Sequence, residues 1–125
     1  MTVLASAERR FSQADLDGWA ALSGDWNPLH TDAAYAAGTH FGQTITFGHL
    51  ILTWLTSLAG RLTDDGTLAG TTITGLRFKA PVFTDRDYRV LALSGDQGIR
   101  LEVRDAEDDH LCSEAVLDLN GRGAA

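Results

Sequence analysis

Residues 49–58, HLILTWLTSL, form an apolar stretch that restricts the possible folds more than any other part of the chain. Gly48 precedes this stretch, and Gly60 stands where a C-terminal helix cap is expected. The pattern predicts a helix of about three turns that is apolar nearly all round and therefore buried. Because one sheet covers only one side of such a helix, we expect a second subunit or a long loop on the other side, and at least a dimer.

The sequence after Gly66 changes from helical spacing to the alternation typical of β-strands. Four segments with this pattern are separated by turn-forming residues: 67–80, 86–95, 98–105 and 110–119. A further strand is expected near the N-terminus, at residues 3–11. One strand, one buried helix and four antiparallel strands together predict an α+β hot-dog fold, in which an antiparallel sheet wraps around a central helix.

Shorter helices are predicted between the first strand and the central helix. Ser12 is a suitable N-cap for a helix at about residues 13–22. Pro28 disfavours helical backbone at the residue before it, so the chain should be irregular up to that point. Asp32 is then expected to cap a second short helix that Gly38 ends.

Composition limits the classes of function. The chain has 125 residues, 44% of them hydrophobic and 22% charged, which fits one globular domain over residues 1–125. Its net charge of −7 disfavours nucleic acid and anionic membranes as partners, and no apolar run approaches the ~18 residues of a membrane span. We therefore expect a cytoplasmic protein, with a frayed GRGAA tail at its C-terminus.

The single cysteine, Cys112, has no partner for an intrachain disulfide and no neighbours at the spacing of a zinc site. It is interpreted as a small core or interface residue. His40 and His49 also lie at spacings that match no ligand pattern, and neither a metal nor a cofactor is expected.

The segment DWNPLH, residues 25–30, contains the strongest candidates for chemistry. A carboxylate and an imidazole that meet at one water molecule can share its proton transfers, so Asp25 and His30 suit a hydration or dehydration. The structural alternative is that Asp25 begins an Asx turn, Asn27 and Pro28 make the bend, and His30 packs beside Trp26. The spacing alone is compatible with both.

Residues 11–60, FSQADLDGWAALSGDWNPLHTDAAYAAGTHFGQTITFGHLILTWLTSLAG, resemble the MaoC-like hydratases and dehydratases, which include the (R)-specific enoyl-CoA hydratases. The hallmark of that family is an Asp-x-Asn-Pro-x-His loop, which residues 25–30 match at every defined position. The later segment FKAPVFTDRDYRV resembles the third-strand region of the family, so the likeness covers about residues 11–92. It implies a hot-dog fold, a homodimer or heterodimer, and an acyl thioester of coenzyme A or acyl carrier protein as the substrate.

The resemblance also implies roles for particular residues. Asp25 and His30 would hold the water that adds across the double bond of a trans-2-enoyl thioester to give an (R)-3-hydroxyacyl thioester, or that leaves in the reverse reaction. Asn27 would support this loop. Negative charge builds on the thioester oxygen, and the amide at the helix start, Gly48, is our candidate to stabilise it. Thr56 falls where related hydratases have a small hydroxyl residue that orients the water or Asp25, although a helical threonine can equally bond its own backbone.

One position departs from the family pattern. The family often has a histidine before this glycine, whereas the chain has Phe47 there and a histidine, His49, after it. The role of the family's histidine is therefore not transferred. His49 is compatible with facing the pocket or with lying under the sheet, and a structural or supporting role is favoured.

Recognition of the substrate is harder to read from sequence. Leu50, Ile51, Trp54 and Leu55 are pocket candidates, although most helix residues in such a core serve packing. A large indole at Trp54 would shorten the pocket. The basic side chains of Arg77, Lys79 and Arg86 are candidates to hold the carrier arm, or they are solvated strand ends.

These features discriminate among four functions. A hydro-lyase acting on enoyl thioesters is favoured. Thioesterases of the same fold use an acid on or near the central helix, and residues 47–60 contain no Asp or Glu. A non-catalytic partner subunit often lacks the Asp or the His, and this chain has both. A biosynthetic dehydratase or cyclase of the polyketide type that uses the same Asp-His pair also remains compatible with the sequence.

Overall fold

The computed structural model describes residues 1–96 and 98–119. In chain order, the helices and strands of these residues are β1 (Val3–Arg9), α1 (Gln13–Ser23), α2 (Pro28–Thr31), α3 (Ala33–Ala37), α4 (Gly48–Gly60), β2 (Thr72–Phe78), β3 (Tyr88–Gly95), β4 (Gly98–Asp105) and β5 (Leu111–Asp118). The GRGAA tail, predicted to be frayed, lies outside the described residues.

The five strands form one antiparallel sheet in the order β1-β3-β4-β5-β2. All four strands predicted after Gly66 are present, although β2 begins only at Thr72. β2 pairs with β5 instead of with its successor β3, so between them the chain crosses the sheet from the β2 edge to the strand beside β1. Consequently β1 and β2 are the two edge strands.

Helix α4 lies against one face of this sheet. Its buried side chains are Ile51, Trp54, Leu55, Leu58 and Ala59, which recur at the spacing of one helical face. They belong to one core cluster with inward side chains of the three central strands, including Tyr88, Val90, Ala92, Leu101, Val103 and Leu117. This is the predicted hot-dog fold, an antiparallel sheet around a central helix.

The prediction that α4 is buried on every side is wrong for the chain by itself. His49, Thr53 and Ser57 follow one another at four-residue intervals and are exposed, so they form a polar face opposite the sheet. Gly60 is the last helical residue rather than the cap, which is Arg61. The need for a second subunit therefore does not follow from the burial of this helix.

The segment between β1 and α4 is built from local capping. Ser12 caps α1 as predicted: its hydroxyl accepts a hydrogen bond from the amide of Asp15 at 3.2 Å, and the Asp15 carboxylate accepts one from the amide of Ser12. Asp32 caps α3, also as predicted. Helix α2 was not foreseen, and Asn27 is its N-cap.

Two further expectations concern burial and membranes. The Cys112 thiol is free and fully buried in the core, as the sequence indicated. Among residues 1–96 and 98–119, no helix is long and apolar enough to cross a bilayer.

Candidate active site

The loop at residues 25–30 is held by its own short hydrogen bonds. Helix α1 is capped at its C-terminus by Gly24, which has a left-handed φ of 79° and donates its amide to the carbonyl of Ala20 at 2.8 Å. The Asp25 carboxylate then accepts the amide of Asn27 at 3.1 Å, and the Asn27 side chain accepts the amide of Leu29 at 3.0 Å. The Asx turn named above as the structural alternative is thus present, and it fixes the backbone that carries Asp25 and His30.

The His30 ring is fixed on two sides. Its Nδ1 lies 2.6 Å from the carbonyl oxygen of Ile45, and its ring stacks on Phe47 with 4.0 Å between centroids. Because a carbonyl oxygen only accepts, Nδ1 must carry a proton, and in the neutral ring Nε2 is then an acceptor. Gln13 also donates to the His30 carbonyl at 2.8 Å, which ties α1 to this loop.

Phe47 and Gly48 form the start of α4 beside this ring. Phe47 is the N-cap, is buried, and offers no side-chain acceptor to the first turn. The first amide groups of a helix have no partner inside it, so the amide of Gly48 is suited to bind an anion or a polarised carbonyl. A Cβ at Gly48 would lie only 3.0 Å from Cζ of Phe78, which gives this glycine a packing reason as well.

Two cavities meet at this point. The first, about 410 Å³, is here called the aspartate cavity, and its lining is Asp25, His30, Phe47, Gly48, His49, Leu52, Leu76 and Phe78. The second, about 370 Å³, is called the apolar cavity, and its lining is His30, Phe41, Ile45, Thr46, Gly48, Ile51, Phe78, Lys79, Ala80, Pro81 and Val82. Three residues, His30, Gly48 and Phe78, belong to both linings. Each volume lies in the range of small-molecule sites.

The arrangement is a carboxylate and an imidazole facing one cavity, with a helix start in the same wall. Residues 1–111 match the family model described as the MaoC like domain. The chain belongs to the MaoC-like family. The match extends beyond the loop to four of the five strands, since it ends at the first residue of β5.

Individual relatives of this MaoC-like chain are hydratases. It is 38% identical over 101 residues to the (R)-specific enoyl-CoA hydratase of Aeromonas caviae, a stretch covering 76% of this chain and 73% of that protein. The solved structure of the (R)-hydratase from A. caviae involved in PHA biosynthesis matches with a TM-score of 0.67 and 32% identity over 92% of each chain. An R-hydratase from Pseudomonas aeruginosa matches with a TM-score of 0.66 and 30% identity, over 94% of this chain and 80% of that one.

Three of the predicted site residues are brought together in the MaoC-like chain, and others are not. Asp25, His30 and Gly48 all line the aspartate cavity, while Asn27 acts on the loop backbone. The Thr56 hydroxyl donates to the carbonyl of Leu52 at 3.0 Å, within its own helix, as the alternative stated above has it. It is therefore committed to the helix in this structure.

The pocket candidates on α4 are only partly placed at the site. Ile51 lines the apolar cavity, but Leu50, Trp54 and Leu55 line neither cavity. The Trp54 indole stacks on Phe11 at 4.0 Å with an interplanar angle of 3°, on the face of α4 that packs into the core. The prediction that Trp54 shortens the pocket is not met by these two cavities, because the indole is occupied in the core.

The three basic candidates also separate. Lys79 lines the apolar cavity, with its Nζ 3.4 Å from Glu114 Oε1. Arg86 lines neither cavity, because its Nε is 2.5 Å from the buried Asp105 carboxylate. Arg77 is exposed on β2. Of the three, only Lys79 is placed at the site.

A second group of ligand-type side chains lies at the β4–β5 turn. Asp105, Asp108 and His110 place potential metal-binding atoms within 4.8 Å of one another. The Asp105 carboxylate already accepts hydrogen bonds from Arg86 and from the amides of Glu107 and Asp108. These bonds explain the closeness of the three side chains by the hydrogen bonding of the turn, which is called the closed turn below. None of the three lines the aspartate cavity or the apolar cavity.

Phe78 and Thr46 are among the cavity-wall residues that sequence reasoning did not single out. Phe78 ends β2 and reaches Gly48 only through the fold, so no local pattern reveals it. Thr46 is 5% exposed, lines the apolar cavity, and its hydroxyl has no hydrogen-bond partner among the described residues. An isolated threonine in an irregular segment gives no signal of this kind.

Proposed function

We propose that the chain is a hydro-lyase of the (R)-specific enoyl-CoA hydratase type, a single hot-dog domain that interconverts trans-2-enoyl and (R)-3-hydroxyacyl thioesters. The observation that supports this most directly is that Asp25 and His30 face one cavity whose wall includes the start of α4. The likeness to the A. caviae hydratase over most of both chains supports the same reaction.

In this proposal, Asp25 and His30 hold one water molecule between them. The water oxygen forms a bond to C3 of the enoyl thioester while the double bond between C2 and C3 is lost. The two side chains together accept one proton from the water and return one to C2, so neither is consumed. His30 is suited to this exchange because its Nδ1 is bonded to Ile45, which leaves Nε2 for the water.

The amide of Gly48 is proposed to stabilise the oxygen of the thioester. As C3 is attacked, negative charge moves to that oxygen before C2 is protonated. An N–H at a helix start donates to this charge, and the helix dipole adds to its effect. Phe47, which replaces the histidine often found in the family, packs on His30 and so holds the imidazole instead of contributing a proton donor.

The chain is further proposed to act as a homodimer joined through β2. No strand within residues 1–96 and 98–119 pairs with the outer side of this edge strand, and each of its residues except Ile73 is exposed, including Leu76 and Phe78. An open edge with exposed apolar side chains is a site for pairing with another strand. A second copy on β2 would also cover the aspartate cavity, which Leu76 and Phe78 line. Light scattering on the purified chain tests this: a monomer would contradict it.

The substrate is an acyl thioester of coenzyme A or of acyl carrier protein. Since both carriers are intracellular, the proposal places the protein in the cytoplasm. The alternative of a partner subunit that binds acyl groups without catalysis is less well supported, because such a subunit has no need to keep Asp25 and His30 on one cavity.

The test is an assay of the purified chain with trans-2-enoyl thioesters of coenzyme A and of acyl carrier protein, followed by chiral analysis of the product. Loss of the conjugated enoyl absorbance and formation of the (R)-3-hydroxyacyl product are expected. An (S) product, or no hydration with either carrier, would overturn the proposal.

A further inference from the structure

The side chain of Phe78 occupies an unusual place for a large aromatic residue. Phe78 is the last residue of β2 and is 51% exposed, yet its ring packs closely on Gly48. Burial of an aromatic ring is strongly favourable, so a ring left half in solvent at a cavity wall is typical of a ligand or partner contact. The ring stands where the aspartate cavity and the apolar cavity meet.

The other two residues shared by the cavities cannot regulate passage between them. Gly48 has no side chain, and the His30 ring is held by the Ile45 carbonyl and by Phe47. Phe78 is the shared residue whose side chain both fills space and lacks a hydrogen bond that fixes it. The size of the Phe78 side chain therefore determines how wide the opening between the two cavities is.

The proposed reaction gives the two cavities different parts of the substrate. C2 and C3 must lie against Asp25 and His30, which places the reacting carbons in the aspartate cavity. The acyl chain beyond C3 is apolar, and the apolar cavity, whose wall shares Phe78 with the aspartate cavity, offers Ile45, Ile51 and Val82. A long chain must therefore pass the Phe78 ring, whereas a short chain does not.

We propose that Phe78 is a specificity-determining residue that limits the length of the acyl chain by restricting its access from the aspartate cavity to the apolar cavity. This inference rests on the proposed hydratase function. The ring favours short 2-enoyl groups, and its removal joins the two cavities into one site that takes longer chains.

Phe78→Ala tests the inference, with Leu76→Ala as a matched control. Leu76 lies on the same strand and is also exposed, but it lines only the aspartate cavity. The ratio of kcat/KM for trans-2-octenoyl-CoA to that for crotonyl-CoA is expected to rise about tenfold in Phe78→Ala and to stay near the wild-type value in Leu76→Ala. An unchanged ratio in Phe78→Ala, or the same rise in Leu76→Ala, would overturn the inference.

Binding of unreactive ligands separates this inference from the hydratase proposal. Calorimetry with butyryl-CoA and octanoyl-CoA gives the preference for chain length without any chemistry, and Phe78→Ala is expected to shift it towards octanoyl-CoA. If the wild type hydrates no enoyl thioester but the preference shifts, the hydratase proposal fails and the role of Phe78 stands. If hydration occurs but neither preference shifts, the role of Phe78 fails alone. Light scattering monitors assembly, and Phe78→Leu, which removes the ring but stays apolar, replaces the alanine variant if that variant unfolds.

Discussion

Among the residues that the structure describes, an aspartate and a histidine lie together in the 25–30 loop and again at the β4–β5 turn, and the two pairs differ in what their remaining polar atoms face. Asp108 and His110 at the β4–β5 turn are bonded directly, with 2.5 Å between Oδ1 and Nδ1, and the other ring nitrogen lies 3.4 Å from the Cys112 sulfur. Asp25 and His30 instead bond to separate backbone groups and share a cavity. The Asp108–His110 pair thus has the more compact geometry, but it lines neither the aspartate cavity nor the apolar cavity.

If Asp25 and His30 carry the proposed reaction, this contrast means that short distance alone does not mark a catalytic pair. The hydrogen bonds from the His110 amide and ring lower the pKa of Asp108, so that carboxylate is already satisfied. Burial raises the pKa of the Cys112 thiol to about 11, so the sulfur in line with His110 is protonated at neutral pH. Asp25 and His30 each use one atom to hold the loop and keep another for a ligand. A reaction needs those unused positions.

The largest effect expected from this contrast concerns catalysis. Asp25→Asn and His30→Ala should each lower kcat/KM for an enoyl thioester by about 10²- to 10⁴-fold, because in the proposed mechanism each removes a group that moves the proton of the water. Asp108→Asn and His110→Ala, the matched changes in the closed pair, should leave it near the wild-type value. Steady-state kinetics on the four variants, with folding checked by circular dichroism, decide the point. Similar losses at both pairs would remove the distinction.

The reactivity of Cys112 provides the next largest effect. In the folded chain its thiol should react with a thiol reagent at pH 8 roughly a hundredfold more slowly than in denaturant, because burial raises its pKa to about 11 and also blocks access. Since the chain has one cysteine, the measured rate belongs to this residue alone. Fast labelling of the native protein would mean that the Asp108–His110–Cys112 alignment activates the sulfur.

The sequence predicted what local patterns encode. Capping by Ser12 and Asp32, the α4 helix and the four later strands follow from side-chain type and spacing. The position of β2 beside β5 does not, because alternation specifies the faces of a strand but not its neighbours. For the same reason, Asp25 and His30, which lie in one short loop, were candidates from local pattern, and the family resemblance favoured them over a plain turn. Neither signal indicates Phe78, which the fold brings to Gly48.

Errors on α4 have a related cause. Trp54 and Ile51 are both apolar and lie on the buried face, yet only Ile51 reaches a cavity wall. A helix that is apolar over much of its surface does not reveal from sequence which residue packs and which faces a ligand. His49, Thr53 and Ser57 were weak polar signals within that pattern, and they mark the exposed face.

A smaller effect is expected from the buried carboxylate of the closed turn. Asp105 is 1% exposed and bonds Arg86, whereas Asp87 forms an exposed ion pair with Arg10 at 2.9 Å. Asp105→Asn should lower the free energy of unfolding by about 2 kcal/mol, because it removes the buried negative charge that pairs with Arg86. Asp87→Asn should change it by less than about 1 kcal/mol. Urea unfolding of both variants at pH 7 measures the difference, and equal effects would show that burial is not the cause.

The Asp105 carboxylate also makes the free energy of unfolding depend on pH. Burial alone would raise the pKa of Asp105, but hydrogen bonds from Arg86 and from the amides of Glu107 and Asp108 outweigh burial and lower it. A carboxylate with a lowered folded pKa stabilises the fold above its unfolded pKa and loses that contribution as pH falls through the folded value. Wild-type stability should therefore decrease as pH falls below about 4, and Asp105→Asn should show less of this decrease. An identical pH profile for both proteins would contradict the assignment to Asp105.

The smallest effect compares two buried threonines with different hydrogen bonding. The Thr44 hydroxyl bonds the Gln13 side chain at 2.8 Å and the Thr84 hydroxyl at 2.9 Å, whereas the Thr46 hydroxyl has no partner among the described residues. Replacing a satisfied hydroxyl removes hydrogen bonds, but replacing an unsatisfied one removes only its desolvation cost. Thr44→Val should thus lower the free energy of unfolding by about 1 kcal/mol, and Thr46→Val should raise it by a similar amount.

The sign of the change in unfolding free energy for Thr46→Val shows whether the Thr46 hydroxyl lacks a hydrogen-bond partner or has one. Thr46 lines the apolar cavity, and its unpartnered hydroxyl resembles the atoms of Asp25 and His30 that remain available to a ligand. The Thr44 hydroxyl is hydrogen-bonded and resembles the polar groups of the β4–β5 turn. Urea unfolding of both valine variants tests the parallel, and Thr46→Ser, which keeps the hydroxyl, controls for the change in shape. If Thr46→Val destabilises the chain as much as Thr44→Val, the Thr46 hydroxyl has a hydrogen-bond partner such as a buried water. The polar atoms in the wall of the apolar cavity would then be as fully hydrogen-bonded as those of the β4–β5 turn.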